Sequence, residues 1–273
     1  MARAILRPAA SDTGVVFRRM DIPADERAIE VARGAVLDTR RAMTIVNGRG
    51  ASIATVEHAL AALSLAGVDN AVIEIDGGEA PILDGSAKVW FEAIERAGIR
   101  RLAAPRSALR IMSPVEVSDG DRFIRAEPAD GRLFDVAIDY DAPAIGEQCV
   151  ALDLDNPADR RRVAAARTFC RLSDVEPLRA LGLSTGGSLE NAIVVDGDRV
   201  LNPEGLRDPC EFALHKALDL IGDIALAGAP VIGRIEARKP GHDLNARFVQ
   251  ALLQNVAAVE RTVIAAAREK LPA

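Results

Sequence analysis

At 273 residues, with 49% hydrophobic and 27% charged residues, the chain has an ordinary globular composition and length enough for one large domain or two smaller ones. Only 3% of residues are aromatic, so the core must be built mainly from Ala, Val, Leu and Ile. A formal net charge of -6 with no basic block argues against duplex nucleic acid as a partner, while a few local Lys and Arg residues suffice for an anionic small molecule.

The first segment alternates short strand-like runs, at residues 4–6 and 14–17, with turns. Residues 52–65 read as a helix with small and apolar side chains nearly all round, the mark of a buried helix. Residues 70–75 (NAVIEI) are a strand, followed by the turn-rich loop DGGEAPILDGSA and a helix over 88–97 that Gly98 closes. The pattern restarts near residue 105. Strands are predicted at 109–112, 114–117, 122–126 and 133–139, then a helix at 157–166, a loop, a strand at 191–195 and a helix at 209–227. A strand at 231–237 and a last helix from 244 to about 268 complete the chain. Each half thus has strands first and two helices among or after them, which is an α+β pattern divided into domains at 1–104 and 105–273.

Cys149, Cys170 and Cys210 fit neither a disulfide framework nor a Cys-x-x-Cys metal site. The amino terminus lacks the apolar stretch of a secretory signal, and no apolar run is long enough to span a bilayer. The expected location is therefore cytoplasmic, without a transmembrane segment.

Histidine is the informative residue type, because there are only three. In the stretch HKALDLIGD, His215, Asp219 and Asp223 fall on one face of a helix whose other positions are largely apolar. An imidazole and a carboxylate at that spacing can share a metal ion; a buried hydrogen-bond network is the alternative. Glu57 and His58 sit in the other buried helix. One carboxylate and two imidazoles make a well-precedented zinc set with a coordination position left over, and His58, His215 and Asp219 supply it. Glu57 could then take a proton from a water molecule acidified by the metal, whereas a capping or surface ion pair suits its apolar neighbours poorly. His242 follows RKPG in a loop with two cations, a setting for substrate contact, and Asp223 could supply the carboxylate that raises its pKa. Thr168, in ARTF, could donate to a developing oxyanion, although most threonines in such loops cap or turn.

Five runs carry a resemblance that extends over nearly the whole chain: TVEHALAALSLAGVDNAVIEIDGGEAPILDGSA, ARTF, GGSLENAIVVDGDRVLNPEGLR, HKALDLIGDIALAGAPVIG and GHDLN. Together they resemble the UDP-3-O-acyl-N-acetylglucosamine deacetylase family, the zinc enzymes of the committed step of lipid A biosynthesis. The resemblance implies two βα domains with helices sandwiched between two sheets and zinc at the domain junction. It implies His58, His215 and Asp219 as zinc ligands, Glu57 as general base, His242 as general acid steered by Asp223, and Thr168 as oxyanion donor. Lys216 would meet the substrate's carbonyl or diphosphate, Phe169 would line the pocket, Tyr140 would lie under uracil and Lys239 near the nucleotide. The implied partner is a small-molecule UDP-sugar bound by a monomer.

Two departures from the family pattern set further expectations. In the family roughly twenty residues, forming two short strands and a Gly-Leu-His stretch near the site, precede the point where MARAILRPAA aligns, so either the start has been lost or mis-set or the chain is an amino-terminally short paralogue. The segments matching the acyl passage hold Arg40, Arg41, Arg171, Ser184, Thr185 and Asn191 where the family has apolar residues. A long acyl chain gains about 0.8 kcal/mol per buried methylene, so a polar passage predicts a weakened preference for it. The rival activities are the same zinc amidase chemistry on an N-acetylated sugar without a long acyl chain, or sugar-nucleotide binding without catalysis.

Overall fold

The computed structural model describes residues 2–32, 34–180 and 186–264. In chain order the first part contains β1 (Ala4–Pro8), β2 (Val15–Arg19), β3 (Ala28–Glu30), β4 (Ala35–Asp38), β5 (Thr44–Val46), β6 (Ser52–Ile53), α1 (Glu57–Ala66), β7 (Ala71–Ile75) and α2 (Lys88–Ala97). The second part contains β8 (Arg106–Ile111), β9 (Val115–Asp119), β10 (Arg122–Glu127), β11 (Arg132–Asp139), β12 (Glu147–Asp153), α3 (Pro157–Ala164), β13 (Phe169–Arg171) and α4 (Leu172–Ala180). It continues through β14 (Ile193–Asp196), β15 (Arg199–Val200), α5 (Glu211–Ile224), β16 (Val231–Arg238), α6 (His242–Gln254) and β17 (Val259–Ile264).

The architecture is α+β, as the strand and helix pattern predicts. One sheet runs β1-β7-β2-β3 and a small one β4-β5-β6; a larger sheet runs β12-β11-β16-β10-β9, with β8 joining β16 to β17. The strip β13-β14-β15 completes the set. Among the described residues every strand pair joins partners from β1–β7 or from β8–β17, never across. Helix α5 packs on α1, α3 and α6 and on β11 and β12, so it lies at the centre of the helical layer. Its Phe212, Leu214, Leu218, Leu220 and Ile221 are all buried in the continuous core.

The structure corrects the predicted elements in several places. Residues 52–53 are strand, and α1 begins only at Glu57, after Thr55 adopts a left-handed backbone (φ 59°). That conformation is costly for a β-branched residue. It is held by a hydrogen bond that the Thr55 hydroxyl donates to Glu79 at 2.9 Å. Residues 172–180 form α4 where a loop is expected. The last helix stops at Gln254 instead of running on to about 268. The Asn255 carboxamide accepts from the Ala258 N–H and closes a turn, and the β-branched run VERTVI then pairs antiparallel with β8. β12, an edge strand, is also absent from the predicted elements, as are the short β3, β4, β5, β13 and β15.

Candidate active site

Helices α1 and α5 carry the site, and a glycine decides how closely they meet. A Cβ built on Gly222 would lie 2.1 Å from the backbone carbonyl oxygen of Glu57, so only glycine lets the two backbones touch there. This contact presses Glu57 and His58 against the face of α5 that bears His215 and Asp219. Arg132 and Arg160 hold the far end of α1, donating to the Ser64 and Leu65 carbonyls at 3.3 and 3.2 Å. These are cations on the carbonyl end of a helix, where the dipole favours them. Gly222→Ala is expected to lose one to three kcal/mol or so of stability, as overpacking does. It should also lose zinc affinity, because relief requires α1 to retreat. Unchanged zinc content and thermal midpoint would show that the helices do not depend on this contact.

One ligand atom each from His58, His215 and Asp219 lies within 4.8 Å of the others, and all three residues are buried. The Asp219 Oδ1 is 3.3 Å from Nε2 of His215 and 3.9 Å from Nε2 of His58. Burial, followed by the neighbouring His215, depresses His58 to about 3, and burial also lowers His215. Both rings are therefore neutral, the form in which imidazole binds a metal. His215 Nδ1 lies 3.1 Å from the Ala166 carbonyl; donation there leaves the Nε2 lone pair facing Asp219. Burial works to raise Asp219, but His215, Lys216 and their neighbours outweigh it and keep the carboxylate ionised. Two neutral imidazoles and a carboxylate converging in a buried pocket are the donor set zinc takes.

Glu57 and His242 face each other beside this triad. Glu57 Oε2 accepts the Met43 N–H at 3.1 Å, and Oε1 lies 3.9 Å from His242 Nε2. His242 Nδ1 is 2.7 Å from Asp223 Oδ2. Burial raises Glu57 to about 8. Burial alone would lower His242, but the Asp223 carboxylate outweighs it and pushes the ring up to about 10.

The chain matches the family of UDP-3-O-acyl N-acetylglycosamine deacetylases over residues 1–254. It belongs to that family. The UDP-3-O-acyl-N-acetylglucosamine deacetylase of Phenylobacterium zucineum is 49% identical over 252 residues, 92% of this chain and 85% of that one. Its namesakes in Anaeromyxobacter sp. (46% over 248 residues, 91% and 80% of the two chains) and Pseudoalteromonas atlantica (44% over 257 residues, 93% and 84%) are also similar. The enzyme is thus a zinc-dependent deacetylase, and the buried triad fits its metal.

Of the other expected residues, Phe169 and Lys216 contact the triad, and Tyr140 packs on Phe169. The Thr168 backbone is clamped between two segments: its N–H donates to the Gly85 carbonyl at 2.7 Å, and its own carbonyl accepts from Ile193 at 2.8 Å. Phe169 stacks edge-on to Tyr140, Phe212 and His215, with centroids 5.5, 5.0 and 6.2 Å away. Lys216 Nζ bonds Asp219 Oδ2 at 2.8 Å and sits 5.6 Å from the Phe169 ring centroid. Lys239 instead pairs with Asp121 and Asp139 at 2.7 and 3.1 Å. Its ammonium is already shared between two carboxylates.

Sequence reasoning missed the support beneath ARTF. Arg167 is buried and donates to both carboxylate oxygens of Glu211, at 2.9 and 3.1 Å, and its backbone N–H donates to the same carboxylate. The pair anchors the segment that presents Thr168 and the Ala166 carbonyl. An arginine beside a threonine carries no local sign of a partner 44 residues away.

The arginines of the expected polar passage turn to carboxylates of their own segments. Arg40 pairs with Asp38 at 2.7 Å, its side chain 86% exposed, and Arg171 with Asp174 at 2.9 Å, 52% exposed. Arg41 is exposed, and Asn191 bonds the backbone of Ser188 and Gly186. Ser184 and Thr185 lie outside the described residues. Among the described residues no helix is long and apolar enough to cross a membrane.

Proposed function

We propose that the protein hydrolyses the acetamide of UDP-3-O-acyl-N-acetylglucosamine, releasing acetate in lipid A biosynthesis. The observation that carries this reading is the convergence of Glu57 and His242 on the buried His58, His215 and Asp219 cluster. These three residues would hold zinc, which when bound acidifies water and polarises the acetamide carbonyl. Glu57, its Oε2 tethered by Met43, turns Oε1 to the attacking water and accepts its proton. The Thr168 hydroxyl donates to the developing oxyanion, and Lys216 adds positive charge on the same side. His242, held by Asp223, donates a proton to the departing amine. Tyr140 and Phe169 offer aromatic faces to the nucleotide, with Lys239 near it. Two α+β domains, 1–104 and 105–273, meet where α1 packs on α5; the confinement of strand pairing to either side of residue 105 supports this division. The intact acid–base pair speaks against binding without catalysis.

The pairing of the exposed Arg40 and Arg171 side chains with carboxylates of their own segments favours a passage open to a long acyl chain over the acyl-free substrate. The test is acetate release by the purified protein from UDP-3-O-acyl-N-acetylglucosamine beside its counterpart lacking the acyl chain. A kcat/KM ratio above roughly a thousandfold, about 4 kcal/mol, supports the long-chain substrate. A ratio near one transfers the reading to the acyl-free sugar, and no release from either rejects it.

The pH dependence should be bell-shaped. Activity rises with pH as Glu57 loses its proton and falls as His242 loses its own. A bound zinc cation favours both deprotonated forms, so both limbs of the holoenzyme lie below the values near 8 and 10 given above for Glu57 and His242. Asp223→Asn removes a negative charge from both groups and is expected to move both limbs to lower pH. The descending limb should move further, because His242 bonds Asp223 directly. A profile whose descending limb stays in place would remove Asp223 as the partner of the acid.

A further inference from the structure

Asp223 Oδ2 carries two hydrogen bonds, and only one of them comes from His242. The other comes from Asn245, whose carboxamide Nδ2 donates at 2.8 Å. His242 and Asn245 are three residues apart on α6, so both reach Asp223 on α5 from one helical face. Asp223 and Asn245 are fully buried. The orientation of the amide is set by chemistry, since an ionised carboxylate only accepts and the NH2 end must face it. That choice leaves the Asn245 Oδ1 without a hydrogen-bond partner, as is the Asp223 Oδ1. A buried amide with one unmet acceptor is a poor packing element, and an aliphatic residue would fill the position better.

What the amide does supply is a second donor on the same carboxylate oxygen. A carboxylate rotates readily about its terminal torsion, and a single bond from His242 would leave that rotation loosely defined. With Asn245 also on Oδ2, this oxygen is pinned toward the imidazole, and Nε2 of the ring stays 3.9 Å from Glu57 Oε1. A lysine would hold Asp223 as well but would compete with the imidazolium for its charge. The neutral amide does not. We propose that Asn245 is a positioning residue that fixes Asp223, and through it His242, for proton donation to the leaving amine. This inference rests on the reading of His242 as the general acid.

The test is a double-mutant cycle on the zinc-loaded enzyme with UDP-3-O-acyl-N-acetylglucosamine as substrate. Asn245→Leu is expected to lower kcat about tenfold or more, with KM and zinc content unchanged. In an Asp223→Asn background the same substitution should cost nothing further in kcat, because the carboxylate it positions is gone. A purely packing role predicts the same loss in both backgrounds. Asn245→Ala carries the cycle if the leucine variant does not fold. A kcat within twofold of the parent, or an equal loss in both backgrounds, overturns the proposal. His242→Ala separates the two readings. If it retains parental turnover, the acid assignment itself fails; if it loses turnover while Asn245→Leu and Asn245→Ala do not, only the role of Asn245 fails.

Discussion

Replacing Glu57 by Gln is expected to lower turnover by about a hundredfold or more while leaving zinc in place. The substitution keeps the size of the side chain, and the amide oxygen can still accept the Met43 N–H. It removes the buried carboxylate that faces His242 beside the triad and that no metal-ligand role explains. Burial works to raise Glu57, which makes it a stronger base than an equally placed exposed carboxylate. His215→Ala is the matching control: it removes a donor of the triad and should reduce zinc below one ion per chain. Elemental analysis and steady-state kinetics on the two variants separate base from ligand. Near-parental turnover in Glu57→Gln would end the assignment of the base, and full zinc in His215→Ala would end that of the ligand.

Glu211→Ala should cost about 3 to 5 kcal/mol of stability, because it strands a buried guanidinium. Glu211 is 0% exposed and accepts from Arg167 Nε, Nη2 and backbone N–H and from the Arg207 N–H. Without it Arg167 keeps Glu204 and the Gly205 carbonyl, which do not replace a buried bidentate carboxylate. Replacing both partners together, as Arg167→Met with Glu211→Leu, should cost less than Glu211→Ala alone, since no charge is then left buried. Urea denaturation of the two variants makes the comparison. A single variant within about 1 kcal/mol of the parent would mean that the pair is solvated or dispensable. Activity should fall as well in Glu211→Ala, because the same pair fixes the segment that bears Thr168 and bonds His215.

The chemistry of the centre was legible because it rests on rare residues with a short-range period. Three histidines in the whole chain, two of them on apolar helices, narrow the metal donors, and 3.6 residues per turn place His215, Asp219 and Asp223 on one face. The family-like runs extended that reading to Phe169 and Lys216, and in the structure the Phe169 ring lies against His215 and Lys216 bonds Asp219. Short pieces were less legible. β3 to β6 span two to four residues each, too few for an alternation to stand out, and the helical pattern after residue 254 was an apolar run that pairing with β8 makes a strand.

Side-chain period tells which face of an element is buried, and composition tells which residue types that face must satisfy. Neither tells what stands opposite. Only the tertiary structure pairs Arg167 with Glu211, lays Gly222 on the Glu57 carbonyl, brings Asn245 to Asp223 and turns Arg40 and Arg171 to their own carboxylates. The first three join positions 22, 44 and 165 residues apart by packing of α1, α5 and α6 or of ARTF on α5, contacts that leave no periodic trace in the chain. The last is a choice of rotamer, decided by where water is.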